Sequence, residues 1–217
     1  MPDTPQHCPL CFETTTQPVL SLDDEIYYRC STCNLVFLPR RYHLSTDEEK
    51  KRYDLHENDP ADPDYRQFLD QMCQPMLSIL SEGDRGLDFG SGPGPTLNIM
   101  FEEHGHPMDI YDIYYANKPD VFTKTYDFIT ATEVAEHLGE PGKVLKKLWN
   151  SLKPGGYLGI MTKRLPDLSE FKNWHYRKDE THVTFYADET FKWIADEWGG
   201  SVVCMEKRIV ILRKGKE

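Results

Sequence analysis

The stretch GLDFGSGPGP, residues 86–95, runs from a short apolar segment into a turn with three alternating glycines, and a helical pattern follows at residues 96–103. Glycines in a turn between a strand and a helix let the backbone approach a ligand closely. The third glycine is Gly94, whereas the dinucleotide-binding fingerprint has its third glycine one position later, where this chain has Pro95. The sequence therefore predicts a ligand-binding turn and argues against NAD-dependent hydride transfer.

The residues that follow this turn predict alternating strands and helices. The second strand ends in Asp112, and the passage to the next strand is too short for a further strand and helix. The turn KPGG at residues 153–156 precedes a buried strand. The predicted strands are residues 86–89, 107–112, 126–132, 157–162, 201–205 and 208–213, and the predicted helices are 96–103, one that begins at 133–138, 142–152 and 188–198.

Four of these segments together resemble class I S-adenosylmethionine (SAM)-dependent methyltransferases. They are the loop LDFGSGPG at residues 87–94, the acid Asp112, the segment EVAEHL at 133–138 and the KPGG turn. The resemblance spans roughly residues 80–213. It implies a Rossmann-like, doubly wound α/β sheet of seven strands, mostly parallel with an antiparallel C-terminal hairpin, and it implies SAM as the cofactor.

The same resemblance assigns cofactor-binding residues. In the family the glycine loop wraps the methionine part of SAM, and an acid after the second strand accepts both ribose hydroxyls. Asp112 corresponds to that acid, with Asp109 as the alternative if the register is shifted and a solvated strand-end aspartate as the other interpretation. The short passage after Asp112 implies that the usual adenine-binding segment is missing or rebuilt. The expected cofactor-binding residues are Asp88, Gly90, Ser91, Gly92, Gly94, Asp112 and Thr132.

A second group of residues has the chemistry of a methyl-transfer site. Transfer to a hydroxyl needs a base, and Glu133, Glu136 and His137 share one face of a helix that begins there. With His182 they resemble the divalent-metal site of small-RNA 3′-terminal 2′-O-methyltransferases, and the EVxEH element also resembles ubiquinone-pathway O-methyltransferases. We therefore expect His137, His182 and Glu133 to be catalytic, with Glu133, Glu136, His137 and His182 as candidate ligands of a divalent metal. The alternative is that the glutamates stabilise a helix N-terminus and that His137 donates to a carbonyl.

The segment WHYRKDETH, residues 174–182, follows the fifth strand of the family's sheet, a usual substrate-binding position. The expected substrate-binding residues are Trp174, His175 and Tyr176. Aromatic side chains there suit stacking on a planar substrate, and the alternative is that they pack on the domain.

Two CxxC pairs near the N-terminus predict a structural zinc site. The pair Cys8 and Cys11 is separated by 18 residues from the pair Cys30 and Cys33, a spacing typical of a tetrahedral four-cysteine zinc site. Residues 19–22 and 26–29 predict short strands joined by a turn, so residues 1–43 are interpreted as a zinc ribbon. A redox CxxC and fortuitous cysteines are the alternatives.

Residues 44–79 are predicted to be an acidic linker followed by a lid helix, and residues 80–217 form the methyltransferase domain. Apolar residues from Tyr65 to Leu80 recur with helical spacing, and Pro75 is expected to interrupt or bend this helix. Tyr53, His56, Asn58 and the pair Tyr65-Arg66 resemble a lid that covers the cofactor, although a plain linker is equally compatible.

The composition of the 217 residues narrows the function classes. With 25 Lys+Arg and 36 Asp+Glu the formal net charge is −11, which disfavours binding to DNA or RNA backbones. The sequence has no long apolar run and no secretory signal pattern, which favours a cytoplasmic protein without membrane association. The leading hypothesis is methyl transfer to an oxygen of a small molecule. RNA ribose methylation and a non-catalytic SAM-binding protein that docks a partner through its ribbon are the alternatives.

Overall fold

The computed structural model describes residues 6–22, 24–55 and 58–216. The elements are numbered here in chain order. The strands are β1 (Thr16–Leu22), β2 (Glu25–Cys30), β3 (Val36–Phe37), β4 (Gly86–Phe89), β5 (Met108–Tyr111), β6 (Tyr126–Thr132), β7 (Leu152–Met161), β8 (Thr184–Phe185), β9 (Gly200–Glu206) and β10 (Ile209–Lys214). The helices are α1 (Thr46–Tyr53), α2 (Pro63–Leu77), α3 (Leu97–Glu103), α4 (Pro141–Asn150), α5 (Leu168–Phe171) and α6 (Asp188–Glu197).

A six-stranded sheet in the order β5-β4-β6-β7-β10-β9 forms the centre of the molecule. Strands β5, β4, β6 and β7 are parallel, whereas β10 is antiparallel to both β7 and β9. The predicted mostly parallel sheet with an antiparallel C-terminal hairpin is therefore confirmed. The sheet has six strands and not seven, because the segment between β5 and β6 forms a short 3-10 helix at Pro119–Thr123 in place of a strand.

Helices cover both faces of this sheet, as expected for a doubly wound fold. Apolar side chains of α2 and α3 pack with Phe128 on one face, and those of α4 and α6 pack with Leu158 on the other. Gly86 and Gly159 allow this close packing, because a Cβ atom would lie 2.4 Å from the Phe128 ring at Gly86 and 2.8 Å from the Met72 sulfur at Gly159. The carboxyl ends of β4, β5 and β6 consequently meet at one edge, where ligands bind in such folds.

A second, four-stranded antiparallel sheet has the order β1-β2-β3-β8. Its first two strands are the predicted ribbon hairpin, and Asp23 of the predicted turn lies outside the described part of the chain. Strand β8 comes from the segment after β7. The cysteine-bearing ribbon thus shares a sheet with the central domain.

Helices α1 and α2 occupy the stretch predicted to be linker and lid. Ser45 and Glu48 form a capping box at the start of α1, and Pro63 occupies the first turn of α2. Pro75 lies within α2, which continues only to Leu77. No helix in the described residues is long and apolar enough to span a bilayer.

Candidate active site

The glycine loop after β4 is held by backbone hydrogen bonds to β5. The amides of Gly90 and Ser91 donate to the Tyr111 carbonyl at 2.7 and 3.2 Å. Gly90 and Gly92 have φ values of 79° and 67°, a region that favours glycine. A Cβ at Gly90 would lie 2.3 Å from a Val134 methyl carbon. Glycine is therefore required here for the turn itself and for its packing against the segment after β6.

Asp112, the expected ribose acid, lies directly beside this loop and is 8% exposed. Its Oδ2 accepts the Gly92 amide at 3.0 Å, and its Oδ1 accepts the amides of Tyr114 and Tyr115 at 2.8 and 3.1 Å. A carboxylate has about four acceptor positions, and these bonds use three of them. Asp112 thus fixes the loop and keeps one position for a ligand hydroxyl. The alternative acid, Asp109, pairs instead with Lys124 at 2.9 Å and Arg85 at 3.6 Å.

Asp88 is buried below the loop, where Thr130 Oγ1 donates to its Oδ1 at 2.9 Å. Burial raises the pKa of Asp88 to about 7, although the Thr130 hydrogen bond acts in the opposite direction. Two further expected cofactor residues, Ser91 and Thr132, have buried hydroxyls without a hydrogen-bond partner. Buried hydroxyls are rarely left unpaired, so these two fit the recognition of a polar ligand at the carboxyl ends of β4 and β6.

Residues from α1 and from the segment before α2 cover this loop. A Cβ at Gly94 would lie 1.9 Å from the Asn58 carbonyl oxygen, so this backbone crosses directly over the loop. Tyr114 donates to Glu49 Oε2 of α1 at 2.6 Å, and the Tyr53 ring lies 5.7 Å from the Tyr114 ring. The predicted lid residue Asn58 thus lies over the glycine loop and Tyr53 lies beside Tyr114 in the segment after β5, whereas His56 is outside the described residues.

Two other predicted lid residues lie elsewhere. Tyr65 packs into the core face formed by α2 and α3. Arg66 pairs with Glu103 at the end of α3. These two residues therefore anchor α2 to α3.

Three of the four candidate metal ligands converge on one point. One ligand atom each from Glu136, His137 and His182 lies within 4.8 Å of the other two. Glu136 is fully buried, and its Oε2 has no hydrogen-bond partner. Burial raises the pKa of Glu136 and lowers the pKa of His182, which also lies beside His137. Two histidines and one carboxylate are a donor set that suits divalent transition metals.

Backbone carbonyls set the tautomers of both histidines. His182 Nδ1 lies 2.6 Å from the Tyr176 carbonyl oxygen, and His137 Nδ1 lies 3.1 Å from the Thr181 carbonyl oxygen. A carbonyl oxygen only accepts, so each Nδ1 carries the proton and each Nε2 carries the lone pair. Metal-binding histidines are commonly oriented in this way.

The EVAEH segment is not the regular helix that its spacing predicts. It forms a single 3-10 turn at Ala135–His137, and Glu133 has a φ of 51°. The Glu133 side chain is not one of the three converging groups, and its Oε1 lies 3.5 Å from Arg208 Nη1. Burial and the nearby Glu136 raise the pKa of Glu133 to about 7, although Arg208 and Lys163 act in the opposite direction. Glu133 therefore lies beside the candidate ligand set and not within it.

The three expected substrate-binding residues have different environments. Trp174 packs against Phe171 and Phe185, as the packing alternative states. Tyr176 is buried, and its hydroxyl donates to Glu136 Oε1. His175 is exposed and hydrogen-bonded to Lys163.

Tyr176 therefore supports the ligand set instead of facing solvent, a role that sequence reasoning missed. The only local sequence signal was its position six residues before His182. Arg208, which faces Glu133, was also missed, because it lies in the turn before β10 and carries no motif of its own.

The four N-terminal cysteines form the other candidate metal site. Their sulfur atoms all lie within 4.8 Å of one another, with 3.5 Å between Cys8 and Cys33 and 3.4 Å between Cys11 and Cys30. Tetrahedral Zn–S bonds of about 2.3 Å require sulfur separations of roughly 3.8 Å. Hydrogen bonding to Cys33 lowers the pKa of Cys8 to about 6. The donor set and its dimensions fit zinc.

Comparison with known proteins agrees with this geometry. The family described as "Methyltransferase domain" matches residues 62–204. A segment of 77 residues is 26% identical to the ubiquinone biosynthesis O-methyltransferase of Pseudomonas savastanoi and covers 36% of this chain. The corresponding enzyme of Proteus mirabilis is 27% identical over the same length. The matched segment spans about a third of the length of these relatives, 33% and 31% respectively.

Solved structures share the fold at low sequence identity. Magnesium protoporphyrin IX methyltransferase from Synechocystis, with bound S-adenosylhomocysteine (SAH), superposes with a TM-score of 0.55 and 15% identity, covering 81% of this chain and 98% of that one. The 1,6-didemethyltoxoflavin N1-methyltransferase of Burkholderia thailandensis gives 0.55 and 12%, covering 83% and 96%. The sheet shares the architecture of these solved methyltransferases, and because the family match covers well over half of the sequence, the chain belongs to the methyltransferase-domain family.

Proposed function

We propose that this protein transfers the methyl group of SAM to an oxygen nucleophile of a small molecule, with a divalent metal at the reacting oxygen. The observation that carries this proposal is the convergence of Glu136, His137 and His182 next to the carboxyl end of β6, beside the glycine loop. The short sequence match to O-methyltransferases supports oxygen as the nucleophile. The net charge of −11 favours a small molecule over RNA.

The cofactor lies along the carboxyl ends of β4, β5 and β6 in this proposal. The loop from Gly90 to Gly94 holds its amino-acid part, with the Ser91 hydroxyl as an additional hydrogen-bond partner. Asp112 uses its remaining acceptor position for a ribose hydroxyl, and Thr132 binds from the end of β6. SAM supplies an electrophilic methyl on a sulfonium, so attack by oxygen forms a C–O bond while the C–S electron pair stays on sulfur.

The chain's own side chains align the nucleophile and accept its proton. Glu136 Oε2 and the Nε2 atoms of both histidines would hold a divalent metal, which would lower the pKa of a substrate oxygen there. Because Glu136, His137 and His182 would then be bound to the metal, Glu133 is the neighbouring carboxylate that accepts the proton of the substrate oxygen. Arg208 lies beside Glu133 and orients it. Without metal, the lone pair on Nε2 of His137 or His182 takes the role of base.

The division of the chain follows the same proposal. Residues 1–43 form a ribbon that binds structural zinc, residues 44–79 carry the lid helix α1 and the anchoring helix α2, and residues 80–217 form the methyltransferase domain. In this proposal α1, which contacts Tyr114 in the segment after β5, excludes water from a bound sulfonium.

Native mass spectrometry with SAM and Mn²⁺ tests the proposal. We expect one zinc per chain, an added mass for SAM, and a second metal that binds to the wild type but not to the double variant His137→Ala/His182→Ala. That variant is expected to retain SAM affinity within about twofold and to lose methyl transfer to a panel of phenolic and catecholic acceptors. Absence of SAM binding at millimolar concentration overturns the proposal, and methylation of RNA but of no small molecule overturns its substrate class.

A further inference from the structure

The ribbon and the candidate active site are joined through a shared strand. Val36 and Phe37 of β3 follow closely after Cys33 and pair with Phe185 and Thr184 of β8. The Leu38 amide donates to the Val183 carbonyl at 2.8 Å. Strand β8 begins two residues after His182. The segment that carries Cys30 and Cys33 is therefore linked by backbone hydrogen bonds to the segment that carries a candidate metal ligand.

The same strand is also bonded to the turn that carries Glu136. The Val183 amide donates to the Glu136 carbonyl at 2.8 Å. The hydroxyls of Thr184 and Tyr186 both donate to the Ala135 carbonyl, at 2.9 and 3.0 Å. The position of Glu136 therefore depends on where β8 lies.

A second contact fixes the ribbon against the central domain. The Gly142 amide at the start of α4 donates to the Pro9 carbonyl at 3.0 Å. A Cβ at Gly142 would lie 2.2 Å from the Leu10 carbonyl oxygen. The cysteines and Tyr186 belong to the same buried apolar cluster as Leu145 and Leu148 of α4. The segment that carries Cys8 and Cys11 thus packs tightly on the central domain.

From these contacts we infer that the four-cysteine ribbon is a positioning element of the active site, which holds Glu136 and His182 in register through β3, β8 and the turn at Ala135. The inference rests on the proposed function for its catalytic consequence. Two-residue strands are not stable by themselves, and a structural zinc supplies folding free energy to the backbone around it. Metal at the cysteines therefore stabilises β3, and β3 stabilises β8.

An independent ribbon would behave differently. If residues 1–43 were a separate module that recruits a partner, loss of its metal would loosen the ribbon alone. The pairing of β3 with β8 predicts instead that the effect crosses the domain boundary and reaches residues 135–137 and 182–186.

Hydrogen exchange of the full chain before and after removal of zinc by a chelator tests this inference. We expect amide exchange to accelerate at least tenfold in residues 30–38, 135–138 and 182–187 together, while β4 and α3 keep their protection. Acceleration confined to residues 6–38 overturns the inference. Addition of zinc must restore the protection in all three segments.

A second variant keeps the experiment decisive if the zinc-free chain unfolds as a whole. The double substitution Thr184→Val/Tyr186→Phe removes both donors to the Ala135 carbonyl and leaves the cysteines intact. The control is Tyr126→Phe at the start of β6, which removes a hydroxyl that contacts the Val121 carbonyl oxygen and Asp109 Oδ2, each at 2.9 Å. All three proteins are expected to contain one zinc per chain.

The readouts separate positioning from general stability. We expect the double variant to shift the side-chain ¹⁵N resonances of His182 and to lower kcat at least tenfold, with the KM for SAM within twofold of the wild type. The control is expected to change neither. Wild-type resonances and kcat in the double variant overturn the inference. Hydrogen exchange and ¹⁵N resonances need no turnover, so coupled protection in a chain without methyl transfer refutes the proposed function and leaves this inference standing.

Discussion

Tyr176 contacts His182 through its backbone, because its carbonyl oxygen accepts the Nδ1 proton at 2.6 Å. The hydroxyl of the same tyrosine donates to Glu136 Oε1. One residue therefore orients two of the three converging side chains. Among the described residues, Glu136 Oε2 has no hydrogen-bond partner, and His182 Nε2 lies 4.0 Å from Asp179 Oδ2. Supporting contacts of this kind commonly change metal affinity by about 10- to 100-fold.

The first prediction follows from that arrangement. Tyr176→Phe removes the donor to Glu136 and keeps the carbonyl that holds His182, so we expect Mn²⁺ affinity to fall about tenfold while SAH affinity stays within twofold. Isothermal titration measures both. The control is Tyr27→Phe, whose hydroxyl contacts Glu25 of the same strand and Arg177 of the 3-10 helix at His175–Lys178. Equal Mn²⁺ affinities in the wild type and Tyr176→Phe would show that the hydroxyl does not orient a ligand.

A second prediction concerns pH and the buried carboxyl of Asp88, whose pKa is raised to about 7 by burial. The folded state binds this proton more tightly than the unfolded state, in which the pKa is about 4. Protonation of Asp88 therefore favours the folded state. This contribution to the free energy of unfolding is complete below about pH 4 and is lost as the pH rises to about 7. Asp88→Asn keeps an acceptor for Thr130 and removes the charge.

We expect Asp88→Asn to be more stable than the wild type at pH 8, by up to about 4 kcal/mol, and to be nearly equal to it at pH 4.5. Urea denaturation at both pH values measures the difference. The variant is also expected to bind SAM more weakly, because a negative charge beneath the loop is lost. A stability difference that does not change between the two pH values would contradict the assignment of a raised pKa.

A third prediction tests the passage of the chain over the glycine loop. In Gly94→Ala the new Cβ would lie 1.9 Å from the Asn58 carbonyl oxygen, so the covering segment must shift. We expect SAH affinity to fall at least tenfold with little change in melting temperature. Gly105→Ala is the control, because no described atom lies within 4 Å of the added Cβ. The φ of 83° at Gly105 means that this variant is expected to lose about 1 kcal/mol of stability. Its SAH affinity is expected to stay unchanged. An unchanged SAH affinity in Gly94→Ala would place the cofactor elsewhere.

A fourth prediction concerns zinc. Cys8, Cys30 and Cys33 are fully buried within the main apolar cluster, so loss of the metal leaves unpaired thiols in a core. We expect chelation to lower the apparent melting temperature by roughly 10 °C or more, which corresponds to several kcal/mol for a chain of this size. Differential scanning calorimetry with and without chelator measures it. Oxidation of the thiols is excluded by repeating the scan under reductant, and an unchanged melting temperature would refute a structural metal.

The elements that the sequence predicted well are those with local signals. The glycine loop, the acid at the end of β5 and the KPGG turn each combine a turn residue with a neighbouring apolar strand, and their order along the chain fixes the topology of a parallel sheet. The cysteine pairs are equally local. Each of these features involves only residues that lie close together in the sequence.

The elements that the sequence predicted poorly depend on distant contacts. The spacing of Glu133, Glu136 and His137 suits a helix, but a left-handed residue and a 3-10 turn replace it because the segment packs against β8. Strands β3 and β8 have two residues each, too few to show a period, and they come from opposite ends of the chain. Tyr176 reaches Glu136 over 40 residues, which no local pattern encodes.

The last prediction concerns the motion of α1, which must open for SAM and SAH to exchange. No residue of this helix is buried, so it gains little from apolar packing. It is held by hydroxyls of Tyr114 and Tyr115 on Glu49 and Asp54, and by an exposed ion pair between Arg52 and Glu180. Such contacts each contribute about 1 kcal/mol or less.

We therefore expect amides of α1 to exchange at least 100-fold faster than those of α2, whose Leu69, Met72 and Met76 are buried. In the proposed function α1 covers the cofactor, so SAH is expected to slow exchange in α1 and not in α2. Hydrogen-exchange mass spectrometry with and without SAH measures both. Since exposed ion pairs are screened by salt, Arg52→Ala and high ionic strength should each speed SAH dissociation severalfold without altering stability. Equal protection of the two helices in the free protein would show that α1 is a fixed part of the core and not a lid.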